Sequence, residues 1–237
     1  MIYRIRLFAA AAMLLACCSC LRQNESYKCN SYIQGYYAID DMSASSRTVI
    51  LSGDAYREID VYVSESHRLG DFTESEGGFA YYSTLHKDTG HKEYHAIMPV
   101  VWYPGDDISS VTVRCTEAWD EDHPAGSSLA DIAVFAALSV RPYIDGGYTP
   151  CEYGPADRYP LLKCVYPEIG EWKTQPWYPV SKPLQDIKPE EMSLIGETGD
   201  VNPLFSLFIP LREDNTSGLE MTVTDVTGKV IDVSVKE

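Results

Sequence analysis

Basic residues are scarce in this chain, and so are most of the groupings that announce a chemistry. Lys and Arg number 19 against 35 Asp and Glu, for a formal charge of -16. With no basic stripe to release counterions, nucleic acid and anionic lipid headgroups are poor partners, and no nucleic-acid role is expected. Past residue 20 the cysteines are Cys29, Cys115, Cys151 and Cys164, and none stands in Cys-x-x-Cys spacing. Zinc ribbons and thioredoxin-like redox chemistry therefore have no support. There is no phosphate-binding glycine loop, no Gly-x-Ser-x-Gly elbow around Ser127 and Ser128, and no helical His-Glu-x-x-His. Long runs of helical periodicity are few. The 17 Tyr and 14 Pro instead favour β-structure with long loops.

The chain opens MIYRIRLFAAAAMLLACCSC, with Arg4 and Arg6 ahead of an apolar run from Leu7 to Ala16. The run falls short of the ~20 residues needed to span a bilayer, so residues 1–16 read as a cleaved export signal. Leu14-Leu15-Ala16-Cys17 resembles the lipobox of bacterial lipoproteins. That resemblance implies an acylated Cys17 as the first mature residue and attachment to the membrane through acyl chains. Cys18 and Cys20 are alternatives, but Cys20 would put Cys17 where a lipobox usually carries Leu. Removing residues 1–16 takes away two Arg and no acids, bringing the formal charge to -18. By the same resemblance, Cys rather than Asp after the anchor disfavours retention in the inner membrane. No acidic patch of the kind that accompanies surface export follows it, so the expectation is the outer membrane, facing the periplasm in preference to the cell surface.

Residues 17–46 read as anchor and tether, and 47–237 as one β-rich domain. In YREIDVYVSES, Ile59, Val61 and Val63 share one face while Glu58, Asp60 and Tyr62 take the other, the pattern of a half-buried strand. SSVTVRCTEAW repeats it, with Val111, Val113 and Cys115 inward. LFSLFIPL is apolar on both faces and reads as a central strand ending at Pro210. In LEMTVTDVTGKVIDVSVKE, a three-residue loop Val226-Thr227-Gly228 sets Met221 opposite Val233 and Val223 opposite Ile231, with Gly228 left-handed.

One helix is expected over about 128–138, with Ser128 as its cap and Asp131 completing a capping box. The segment leading into it, DEDHPAGSSLADI, is similar to one in uncharacterised lipoproteins of Bacteroidetes. The resemblance implies localisation and brings no activity with it. The fold expected is thus mostly β, an antiparallel sandwich with one short buried helix.

From 141 to 183 the chain holds eight of the 14 Pro, interleaved with aromatics, and reads as irregular. Of the three pairings open to four cysteines, Cys151 with Cys164 closes a short loop worth about 3 kcal/mol of chain entropy, leaving Cys29 and Cys115. Trp172, Trp177 and Tyr178 are candidate stacking rings for a glycan or peptide, or else aromatic packing that fastens the loop to the sheets. An envelope protein is the third class of partner.

In LHKDTGHKEYHAI, a strand would place His91, Glu93 and His95 on one face, a donor set suited to zinc. His86 joins them if the turn is even; a three-residue loop at Asp88-Thr89-Gly90 leaves it on the opposite face. Glu117, Asp120, Glu121 and Asp122 lack EF-hand spacing and read as a solvated acidic loop. The leading expectation is a non-enzymatic binding or structural module of the envelope with no cofactor. The alternative is a metal-binding protein or metal-dependent enzyme built on the histidine strand.

Overall fold

A computed structural model describes residues 26–73, 77–92, 94–96, 101–154, 158–171, 173–196, 202–211 and 218–236. The candidate anchor cysteines Cys17, Cys18 and Cys20 lie outside these residues. In chain order the strands are β1 (Ser26–Lys28), β2 (Gly35–Leu51), β3 (Asp54–Asp71), β4 (Tyr94–Ala96), β5 (Trp102–Pro104), β6 (Ile108–Cys115) and β7 (Val134–Ser139). Then come β8 (Cys151–Glu152), β9 (Thr174–Gln175), β10 (Tyr178–Pro183), β11 (Phe205–Pro210), β12 (Leu219–Asp225) and β13 (Val230–Lys236). Short helices α1 (Gly78–Leu85), α2 (Arg141–Asp145) and α3 (Pro160–Val165) lie between them.

The protein is mostly β, as its alternating patterns indicate. One nine-stranded sheet runs β10-β7-β11-β3-β2-β13-β12-β6, with β5 also on β2. It curls around a large apolar cluster that takes Phe135 and Phe205 from one arm, Ile59 and Met42 from the middle, and Val113, Val223 and Ile231 from the other. The middle is the β2–β3 ribbon, which reverses through Ser52 and Gly53, both at positive φ, as a tight two-residue turn requires. Gly35, expected in the tether, opens β2, and the Trp102 ring lies so close that a Cβ there would meet it at 2.5 Å. The tether therefore gives way to strand by residue 35, well before residue 47.

The C-terminal hairpin has the register its pattern specifies. Met221 faces Val233, Val223 faces Ile231, and Gly228 has φ 88° as the last residue of the three-residue loop. Val111, Val113 and Cys115 point inward, and β11 is central, between β7 and β3.

Three expectations are corrected. The stretch 128–138 is not a helix: a single turn from Leu129 to Ala133 leads into β7. Ser128 Oγ accepts from the N–H of Ala130, and Asp131 turns to His123. A short apolar run buried on both faces fits a central strand as well as a helix, and here Phe135 and Ala137 face one core while Ala136 and Leu138 face another. The segment 141–183 is more regular than expected, holding α2, α3 and a 3₁₀ turn over Pro167–Gly170, and ending in β10. Pro179 and Pro183 are tolerated because β10 is an edge strand. Finally, Cys29, Cys115, Cys151 and Cys164 are all free thiols. Loop entropy favours the Cys151–Cys164 link but says nothing of placement: Cys151 opens a strand on β9, and the Cys164 thiol donates within α3 to the carbonyl of Pro160.

Candidate functional site

The polar groups gather at one end of the sheet, where β1 and the chain following it enter the fold. Helix α1 ends there in a Schellman motif: Lys87 N–H bonds Thr84 O and Asp88 N–H bonds Ser83 O. Lys87, at φ 58°, occupies the left-handed position that glycine usually takes. The motif turns Asp88 inward, where it has no exposure. Its carboxylate accepts from Tyr32 N–H and Ile33 N–H at 2.8 Å each and from the Tyr148 hydroxyl at 2.9 Å. Burial raises the Asp88 pKa, with the two N–H groups and Tyr148 pulling the other way. The Tyr148 phenol is pushed up to about 12, first by burial.

Next to it His86 is 2% exposed. Its Nε2 lies 2.8 Å from Gly105 O and its Nδ1 2.7 Å from Arg141 Nη2. Gly105 O can only accept and a guanidinium can only donate, so Nε2 carries the proton, Nδ1 accepts, and the ring is neutral. Burial lowers its pKa; the nearby Asp107 opposes this, and Arg141 adds to it. Arg141 also donates to His86 O at 2.7 Å and to Ser193 Oγ at 2.9 Å, and Ser193 donates to Asp107 at 2.7 Å. The imidazole stacks on Tyr36, with centroids 5.5 Å apart. Five separate segments are thereby tied together: 31–36, 83–91, 105–107, 141–148 and 193–194.

A second histidine clasp stands in the loop after β6. His123 Nδ1 is 2.7 Å from Asp120 Oδ1, and its Nε2 is 3.1 Å from Asp131 Oδ2. Burial works against the charged ring, but the carboxylates of Asp120 and Asp131 outweigh it and raise the His123 pKa. The Asp120 carboxyl is held down: burial opposes this, and bonds from His123 and the backbone prevail. The acidic run is thus partly a loop staple. The chain it shapes pairs with the edge of β6, through Cys115 N–H to Ser127 O and Leu129 N–H to Val113 O.

Glu58 and Asp60, expected on a solvent face, are buried beneath the segment around α3. Arg47 reaches Glu58 Oε2 at 2.5 Å and also bonds Cys164 O, while Ser206 donates to Asp60 at 2.5 Å. Sequence patterning missed this because the cover comes from a hundred residues downstream.

Of the histidine set proposed for zinc, His86 sits at the C-cap of α1 and not on a hairpin. His91 is buried before β4, edge-on to Tyr32 and Tyr148. The backbone of His95 pairs with Tyr27, and Glu93 lies outside the described residues. Among the described residues no group of three His, Cys, Asp or Glu is placed to hold a metal. Trp177 is half-buried where two further apolar clusters meet, one around Tyr36, Tyr103 and Tyr143 and one around Leu162, Tyr166 and Phe208, and the Tyr178 hydroxyl donates to Thr149 O at 2.6 Å. Trp172 lies outside the described residues.

A cleft of about 90 Å³ opens beside the C-terminal turn, floored by Met42, Ile108, Val223 and Ile231 and rimmed by Asp106, Asp225 and Lys229. Ligand pockets usually enclose about 300 to 1,000 Å³, so this one suits at most a very small group. Comparison of the chain with protein-family models, with curated proteins and with solved structures finds no match.

Proposed function

We propose that this is a lipid-anchored protein of a bacterial envelope, held at the outer membrane and facing the periplasm, whose folded part is a non-enzymatic binding or structural module. The observation that carries the reading is the Asp88 clasp. Its carboxylate holds the backbone of Tyr32 and Ile33, a few residues after the N-terminal chain enters the fold. A catalytic carboxylate or imidazole must reach a substrate. Asp88 and His86 instead direct their polar atoms to fixed partners inside the protein. Such a clasp suits a domain held by its N-terminus. The Leu-Leu-Ala-Cys signal supplies the tether's far end, and the Bacteroidetes resemblance agrees with it.

Expression in a Gram-negative bacterium tests the anchor. Mass spectrometry of the mature N-terminus is expected to find acylated Cys17, and Cys17→Ser to leave the membrane fraction or persist as precursor. A Cys17→Ser protein still acylated and membrane-bound contradicts that assignment. Stoichiometric zinc in the purified protein would favour the metal-binding alternative.

A further inference from the structure

Five large apolar residues stand exposed among the described residues: Ile50 (65%), Tyr81 (62%), Leu85 (50%), Val226 (56%) and Val230 (60%). Their distribution along the sheet is uneven. Ile50 lies next to the β2–β3 turn, at one end. The other four lie at the opposite end, where β2 begins, β3 finishes and the N-terminal chain enters. Tyr81 and Leu85 are one turn apart on α1, which packs on Tyr36 of β2 through Phe79 and Tyr82. Val226 belongs to the C-terminal turn, whose N–H bonds Asp107 O, and the residue two before Asp107, Gly105, abuts the Tyr82 ring. The helix and the turn therefore belong to one end surface.

Helix α1 reads GFAYYSTL, without a charged residue, in a chain where 23% of residues are charged. Its exposed positions are Ala80, Tyr81, Thr84 and Leu85. An uncharged outer face on so acidic a protein calls for an apolar or zwitterionic neighbour. The tether's length says which neighbour is at hand. If Cys17 is the anchor, residues 17–25 separate the lipid from β1, a reach of at most about 30 Å. Ile50 is about 50 Å along β2 from Gly35 at ~3.3 Å per residue.

We propose that this end of the domain, led by Tyr81 and Leu85 with Val226 and Val230 beside them, rests on the surface of the bilayer that holds the acyl chains. Tyrosine suits that position, its ring entering the interfacial layer while the hydroxyl stays wet. The inference rests on the lipid-anchor reading and adds an orientation to it: α1 and the C-terminal turn face the lipid, and the β2–β3 turn faces away.

The test uses the acylated full-length protein in zwitterionic vesicles of phosphatidylethanolamine and phosphatidylcholine, with and without lipids brominated near the carbonyl end of their chains. Tyr81→Trp and Ile50→Trp each add one indole at an already exposed apolar position, and the unsubstituted protein gives the background. The expected result is that brominated lipid quenches the added emission of Y81W by half or more and leaves that of I50W unchanged. Equal quenching at both positions, or none at Y81W, overturns the orientation. A blue-shifted but unquenched Y81W also overturns it, and points to a second copy or a protein partner on this face. Flotation and mass spectrometry of the same samples separate the two readings. An unacylated chain that stays off the vesicles refutes the anchor, whereas an acylated, vesicle-bound chain with unquenched Y81W refutes the contact face alone.

Discussion

His86 and His123 are alike in burial, at 2% and 8% exposure, and alike in having both ring nitrogens within 3.2 Å of a partner. Their pKa values nevertheless move in opposite directions. His86 stands between a carbonyl and a guanidinium, which together permit only the neutral ring. His123 stands between two carboxylates, which favour the charged one. The kind of partner, and not the number of hydrogen bonds, decides the charge of a buried imidazole. The two also hold different things: the His86 region joins five chain segments, whereas His123 shapes one loop along the edge of β6.

Breaking the first region is therefore expected to have the largest effect. Asp88→Ala orphans the buried N–H groups of Tyr32 and Ile33, at about 1 to 3 kcal/mol each, and leaves a small cavity. Urea unfolding is expected to show a loss of about 3 to 5 kcal/mol. A loss below about 1 kcal/mol would mean that the N-terminal segment is not held there.

The opposite pKa displacements sharpen the comparison through pH. For His86 the folded pKa lies below the unfolded value of about 6.5, so the unfolded chain binds more protons and stability falls as pH drops below that value. For His123 the folded pKa is raised, so its contribution is complete below about 6.5 and is lost as pH rises through the folded pKa. Stability followed across pH should lose its acid-side decline in part with His86→Gln. With His123→Gln the protein should lose stability mainly on the acid side and little above the folded pKa. Profiles changed in the same sense by both variants would break the comparison.

The smallest effect is expected at Asp131, whose side chain is 52% exposed. Asp131→Asn should cost no more than about 1 kcal/mol because solvent screens the pair. It should nonetheless lower the His123 pKa, which proton NMR would register.

How far the sequence foretold these regions depends on whether the deciding neighbours are local. The hairpin at Gly228 was legible because alternation and a turn glycine agree within twenty residues. The β7 segment was not, since VFAALS suits a buried helix or a buried strand until β10 and β11 are seen on either side. Helix α1 was hidden because Lys87, and not glycine, ends it. The His86 clasp needs Arg141 and Ser193, more than fifty residues away, and no spacing rule connects them. His123 with Asp120 was within reach of local reading, since the pair is three residues apart and only the turn that folds it back was missed.

The most direct measurement is a proton NMR titration of the imidazoles of His86 and His123, assigned through the His86→Gln and His123→Gln variants. His86 is expected to stay neutral, with its proton on Nε2, to a pH below the ordinary histidine value, while His123 stays protonated above it. A His86 that titrates near 6.5, or a His123 that loses its proton before His86 does, would contradict the account.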